Sequence, residues 1–287
     1  MINITGATGH LGQKITQEAL RQLSPEELVL SVRNPQKAEL FARKGVTIRK
    51  GEYNHLEEMI DAYKETDVLV YIPSISFPST VRIAEFEKSV QAAEIAGVKH
   101  FIFVGFVADQ ENNPFKMSPF FGYASRRLAS SNLKYTLIRN AMYADPLAPY
   151  LPELIQGGRL LYPVGDGKIT FISREDIAKA VIQIAINPDL HGGRYTLTGE
   201  QAYSMTELAE ILSRVSHSSI QYHPMTVDEF ANTYDEPKGF GKVLVSLYVA
   251  AERKLMDEVT NDYFLVTGKY PENLESYLNR TYERNKQ

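Results

Sequence analysis

Ile4-Thr5-Gly6-Ala7-Thr8-Gly9-His10-Leu11-Gly12 is the stretch that decides the fold. A short β-branched run enters Gly6, and Gly6, Gly9 and Gly12 follow at a spacing of three. Leu11, Ile15, Ala19 and Leu23 then recur at helical period. Strand, glycine turn and helix in that order build an anion site, because unpaired amides and the positive helix end converge on one point. Each glycine has its own task in such a turn: the tight bend, close approach of backbone to a pyrophosphate, and close packing of helix on strand. An ordinary strand-to-helix turn can also carry a glycine triplet, so the rest of the chain has to decide.

The rhythm continues beyond that turn. Glu27–Val32 reads as a strand, and Asn34 and Pro35 read as the N-cap and first residue of a helix ending near Lys44-Gly45. Val46–Arg49 is a third strand, and Asn54 with Glu57 has capping-box spacing for the next helix. Asp67–Ile72 is almost wholly apolar, as in a strand buried on both faces of a parallel sheet. A loop at Pro73–Ser79, a helix stopped by Gly97, a strand at His100–Val104 and a long loop over 105–119 follow. A helix over Pro119–Ser131 and a strand at Lys134–Arg139 complete the alternation.

Past Asn140 the pattern changes. Pro146, Pro149, Pro152 and Pro163 interrupt it, Ser173 opens an amphipathic helix to Ile186, and Arg194–Leu197 is a short strand. Ser204 with Glu207 caps a further helix, Ile220 and Tyr222 alternate as a strand, and the remainder from Thr226 is helical and tyrosine-rich. The expected fold class is α/β, a doubly wound parallel sheet of Rossmann type with right-handed crossovers. Residues 1–139 are expected to form its nucleotide-binding domain. Residues 140–287 are expected to form a smaller, mostly helical substrate-side lobe, interleaved with the first and not independent.

Composition narrows the function classes. The 287 residues carry a formal net charge of -4, which disfavours nucleic-acid binding through a basic face. Cysteine is absent, so no thiolate nucleophile or thiolate metal site is encoded. The six histidines are scattered and never stand at i, i+4, so no metal is expected. No apolar run approaches the about 18 residues that span a bilayer. The early glycine turn argues against a signal peptide. A soluble, cytoplasmic protein is expected.

Arg33 stands 21 positions after Gly12, at the end of the second strand, where a dinucleotide-binding sheet places its ribose-reading residue. The segment Ser31 to Lys37 holds no acid to pair with a 2′-hydroxyl. It holds Arg33 and Lys37, which suit a 2′-phosphate by a bidentate fork and a point charge. NADP(H) is therefore expected over NAD(H). The competing reading is an ordinary solvated face.

With these residues in view, the chain resembles the NmrA-like family of atypical short-chain dehydrogenase/reductases. The likeness rests on Gly6 to Gly12, Val32-Arg33-Asn34-Pro35, Ala96-Gly97-Val98-Lys99-His100-Phe101, Tyr135-Thr136-Leu137-Ile138-Arg139 and Ser173-Arg174-Glu175-Asp176-Ile177-Ala178. Arg139-Asn140-Ala141-Met142-Tyr143 is nearest in pattern to the family's NADPH-dependent quinone oxidoreductases. The resemblance implies that Gly6, Ala7, Thr8, Gly9, His10, Leu11 and Gly12 hold the pyrophosphate and Arg33 the 2′-phosphate. It places Ile72, Pro73 and Ser74 along ribose and adenine. Val104, Gly105 and Phe106, with Asn140, Ala141, Met142 and Tyr143, would flank the nicotinamide and substrate. For Phe106 and Tyr143, plain packing is an equal alternative.

No catalytic residue is assigned. The wider superfamily uses Tyr-x-x-x-Lys on the helix after the fifth strand, where this chain has Tyr123-Ala124-Ser125-Arg126-Arg127. An arginine cannot relay a proton at ordinary pH. The matches Tyr234–Lys238 and Tyr282–Lys286 fall at a proline and at the chain end. Family variants place Lys or His where Phe121 stands, and often an acid where Ser125 stands. Phe121 is thus grouped with the substrate pocket but brings no titratable group.

A quinone is already electrophilic and can take protons from water, so a reductase of quinones or similar small electrophiles survives these losses. A nucleoside-diphosphate-sugar epimerase would not, because it must deprotonate a hydroxyl. The alternative is a non-catalytic NADP(H) redox sensor with a protein partner. No nucleic-acid or membrane partner is expected, and the chain is read as a monomer or homodimer.

Overall fold

Apolar runs flanked by glycine and proline become strands, and amphipathic runs between them become the helices that cover the sheet. The structure, a computed structural model, describes residues 1–285. Its strands are β1 (Ile2–Thr5), β2 (Leu28–Val32), β3 (Thr47–Lys50), β4 (Val68–Tyr71), β5 (His100–Phe106), β6 (Tyr135–Asn140), β7 (Met142–Tyr143), β8 (Arg159–Leu160), β9 (Lys168–Ile172), β10 (Arg194–Leu197), β11 (Ala202–Ser204) and β12 (Gln221–Tyr222). The helices are α1 (His10–Gln22), α2 (Glu39–Ala42), α3 (Leu56–Tyr63), α4 (Ser79–Ile95), α5 (Ser118–Ala129), α6 (Leu147–Gly157), α7 (Arg174–Ile186), α8 (Met205–Ser216), α9 (Val227–Thr233), α10 (Phe240–Glu252), α11 (Asp262–Thr267) and α12 (Leu274–Asn285).

Seven strands form one parallel sheet in the order β3-β2-β1-β4-β5-β6-β10. This is the doubly wound Rossmann arrangement, and its order reverses between β1 and β4. At such a switch point the crossovers leave to opposite faces and open a crevice beyond the carboxyl ends of the strands. Side chains alternate accordingly. Ile4, Leu30, Val70, Ile102 and Val104 pack toward α1 and α7. Leu69, Tyr71, Phe101 and Phe103 pack toward α3, α4 and α5. A further core joins α6, α8, α10 and α12 with Phe171 of β9 and Tyr203 of β11. The parallel pair β7–β9 and the antiparallel pair β9–β11 tie this core to the end of β6.

Several local expectations change in detail. Asn34 does cap, accepting from the Gln36 amide at 3.0 Å, but it opens a 3-10 turn and then the single-turn α2 instead of one longer helix. Asn54 does not cap α3; His55 stands at the N-cap without a side-chain bond. The reason lies one residue earlier, where the Tyr53 hydroxyl is drawn inward to Thr5 Oγ1 at 2.7 Å and Ile72 O at 2.6 Å. That anchor sets the turn closed by the His55 amide on Glu52 O, so α3 starts later. Strand β5 runs two residues past Val104 to Phe106, and the Ile220/Tyr222 strand shrinks to the two residues of β12 beside β8. Ser173 and Ser204 cap as their spacing indicates, the latter with Glu207 in a full capping box.

Candidate functional site

The glycine turn after β1 has the geometry that its spacing implies. Gly6 has φ +59°, and a Cβ there would stand 3.3 Å from Ile72 Cβ. The Gly9 amide closes the turn on Gly6 O at 3.0 Å. A Cβ at Gly12 would lie 2.2 Å from Gly6 O and 2.7 Å from Ala7 Cα, so only glycine lets α1 sit this close to the turn. The Gln13 amide is the first to bond back into the helix, on Gly9 O, which leaves the first-turn amides of His10, Leu11 and Gly12 as open donors. No acidic side chain stands in that turn. Ala7 and Leu11 point into the core, His10 is exposed, and Thr8 O accepts from Gln13 Nε2.

Arg33 follows β2 and lies just beyond the level of Gly6, since Thr5 is paired with Ser31. Arg33 and Lys37 are both exposed, and neither side chain has an ionic or hydrogen-bonding partner among the described residues.

Across the switch point, the Ile72 amide donates to Thr5 Oγ1 at 2.9 Å, and Tyr53 bridges the same two residues. Burial pushes the Tyr53 hydroxyl well above the ordinary phenol range, so it serves as a neutral brace. Pro73 continues along the edge, whereas the Ser74 hydroxyl is turned to the Glu85 carboxylate. At the end of β5, Val104 is a core residue, and a Cβ on Gly105 would lie 2.6 Å from Phe103 Cε1. Asn140 ends β6 opposite Phe106 and is fully buried. Its Oδ1 and Nδ2 have no hydrogen-bond partner among the described residues, although the Tyr143 hydroxyl lies near enough for the amide to lower its pKa.

The residues expected around a substrate fall into two groups. Phe106 and Phe121 are together, their ring centroids 5.7 Å apart. Tyr143 lies beneath Arg174, whose Cζ is 4.7 Å from the ring centroid. Ala141 is core, and Met142 is half-buried against the C-terminal core. Linking the two groups is Arg82 of α4, which the sequence reading missed. Its guanidinium lies 6.0 Å from the Phe121 centroid, and its charge acts on Tyr143. The available signal was a lone cation in the first turn of a helix, the end where cations are disfavoured.

Among the described residues, the superfamily's acid/base pair is not rebuilt in this crevice. The Tyr123 hydroxyl is bonded to Glu87 of α4, and Arg127 Nε donates to both oxygens of the same carboxylate at 3.0 Å. Burial and the Glu87 bond raise the Tyr123 hydroxyl, with Arg127 opposing them more weakly. Tyr234 is bonded to Glu153, and Lys286 lies outside the described residues. Arg139 of the Arg139-to-Tyr143 stretch is turned away to Asp109, Thr196 and Glu258.

The same fold recurs in known proteins. A structure titled a nucleoside-diphosphate-sugar epimerase from Staphylococcus aureus is 49% identical with a TM-score of 0.94, covering 97% of this chain and 99% of that one. An NADPH-dependent quinone oxidoreductase from Escherichia coli, complexed with NADPH, superposes with a TM-score of 0.92 at 26% identity, over 98% of this chain and 100% of that one. Quinone oxidoreductase 2 of Escherichia coli (strain K12) is 29% identical over 256 residues, 88% of each chain. The family model described as the NmrA-like family matches residues 1–263, and with it the glycine turn and every strand of the sheet: the chain belongs to the NmrA-like family.

Proposed function

We propose that this protein is an NADP(H)-dependent reductase of quinones or similar small electrophiles, acting in the crevice beyond β1, β4, β5 and β6. Asn140 carries the reading. Buried side-chain amides are almost always satisfied within a protein. This one stands with both polar atoms unpartnered at the strand end where a nicotinamide carboxamide would offer a matching donor and acceptor. The Gly6–Gly12 turn has open amides for a pyrophosphate, and Arg33 with Lys37 has unpaired charge for a 2′-phosphate. Ile72, Pro73 and Ser74 would follow the ribose and adenine, with Val104 and Gly105 backing the nicotinamide.

The cofactor, when bound, supplies a hydride. The chain's own task is to orient it and to hold an acceptor against it. Phe106, Phe121, Ala141, Met142 and Tyr143 would form the acceptor side. Tyr143 is the one titratable group among them, and burial makes its hydroxyl a weaker acid than an ordinary phenol. The acceptor's proton therefore comes from water, which suits a quinone.

One relative named for quinone reduction, the Escherichia coli enzyme matched both in sequence and in structure, supports this reading, and one structural neighbour named an epimerase points elsewhere. Epimerisation needs a base at the sugar hydroxyl. Tyr123 and Arg127 are instead committed to Glu87. The contact between Phe106 and Phe121, with Phe121 buried, favours the sensor as second reading. Incubating purified protein with NADPH and a small quinone, and separately with a nucleotide sugar, separates the three. Quinone-dependent loss of the reduced cofactor's near-ultraviolet absorbance is expected. NADPH binding without that loss would overturn the reductase, and turnover of a nucleotide sugar would revive the epimerase.

A further inference from the structure

Arg82 is placed at a cost to its own helix. It lies in the first turn of α4, where the positive helix end opposes a cation. Its guanidinium is half-buried over two aromatic faces, 5.5 Å from the Phe120 centroid and 6.0 Å from that of Phe121. Nε donates to Ser76 O at 3.1 Å, which fixes the plane of the fork. Nη1 and Nη2 have no partner among the described residues. Glu85 is one turn further along α4, but its two oxygens are taken by the hydroxyls of Ser74 and Ser76. Arg174, the other cation near Tyr143, has its counter-charge in Asp145 at 3.7 Å. Arg82 is thus a desolvated cation with two free donors, beside the position that Phe121 leaves without an acid. Burial weakens its hold on a proton, and Tyr71, Glu85 and Tyr143 oppose that effect.

We propose that Arg82 is a catalytic residue that binds the acceptor oxygen on which negative charge develops. Its substrates are then quinoid or related aromatic electrophiles whose reduction creates an oxyanion. This rests on the reductase reading. In the step, the C4–H bond of the reduced nicotinamide breaks, and the hydrogen moves with its electron pair to the acceptor. The acceptor's carbonyl oxygen takes the charge and water then protonates it. The guanidinium gives two N–H donors and no proton, which is the role of an oxyanion hole.

The test uses 4-nitrophenol, a probe with an oxyanion but no hydride to accept, on the protein saturated with NADP. The absorbance of its phenolate is followed across pH. Bound probe should ionise about one pH unit below free probe. Arg82→Gln should abolish that shift while Arg82→Lys keeps part of it, with NADP affinity unchanged in both. In turnover with a small quinone, Arg82→Gln should lower kcat about 100-fold and change KM little. Failure of the probe to bind, or an undiminished shift in Arg82→Gln, would overturn the assignment. An equal loss of NADP affinity would move Arg82 to the cofactor and overturn it too. A shift in a wild-type protein that reduces no quinone would instead sink the reductase reading and leave the anion site standing.

Discussion

Gly12→Ala is expected to weaken NADPH binding about 100-fold, equivalent to about 2.7 kcal/mol, and to lower the melting temperature. The added methyl would stand 2.2 Å from Gly6 O and 2.7 Å from Ala7 Cα. Both are backbone atoms, so no side chain can swing aside and α1 has to lift from the turn. Such overpacking costs about 1–3 kcal/mol of stability, and the open amides of His10, Leu11 and Gly12 move with the helix. Gly9→Ala is the control for stability alone, because its methyl would meet Gly6 O at 3.3 Å, a distance that a small shift relieves. Its backbone still faces the pyrophosphate, so its NADPH affinity is expected to fall as well. Calorimetric titration and thermal unfolding of both variants check this. Unchanged NADPH affinity in Gly12→Ala would mean that the turn is not the phosphate site.

Arg139→Met is expected to cost about 3 kcal/mol of folding stability, the lower end for breaking a buried ion pair. Arg139 is 8% exposed and holds Asp109 in a fork, Nε to Oδ2 at 2.9 Å and Nη2 to Oδ1 at 2.8 Å. Its Nη1 donates to Thr196 Oγ1 at 2.7 Å and to Glu258 Oε2 at 2.9 Å, joining β6, β10 and the segment before α11. Removing it leaves the half-buried Asp109 with only the exposed Arg194 at 3.1 Å as a cationic partner among the described residues. Glu258 is 42% exposed and is rescued by water, which keeps the loss moderate. Adding Asp109→Asn should therefore recover at least about 1 kcal/mol in urea unfolding, because it removes the stranded charge. Equal stability of the single and double variants would show that charge burial is not the cause.

The parts of the fold written in short-range chemistry were legible. Gly6, Gly9 and Gly12, the caps at Asn34, Ser173 and Ser204, and the wholly apolar β4 each have a local cause that a sequence displays. The β7–β9–β11 ribbon was not legible, because strands of two to five residues carry no usable period and are held by partners distant in sequence. Asn54 failed as a cap for a tertiary reason, the inward pull on Tyr53. The geometry proposed for the cofactor side, the glycine turn and the unpaired Arg33, was foreseeable because phosphate recognition uses backbone geometry and surface cations. The acceptor side was less so. Phe121 could be named through the family resemblance, but Arg82 comes from a different helix and meets Phe121 only in the folded chain.

Calorimetric titration of the wild type and Arg33→Ala with NADPH and with NADH tests the central assignment most directly. The cofactor side rests on an unpaired Arg33 at the end of β2, level with the glycine turn. One charge-assisted fork lost is about 1.5–3 kcal/mol. Wild type should bind NADPH at least about tenfold more tightly than NADH, about 1.4 kcal/mol. Arg33→Ala should lose that preference while keeping its NADH affinity. Equal weakening of both cofactors by Arg33→Ala, or a wild type that binds neither, would contradict the assignment.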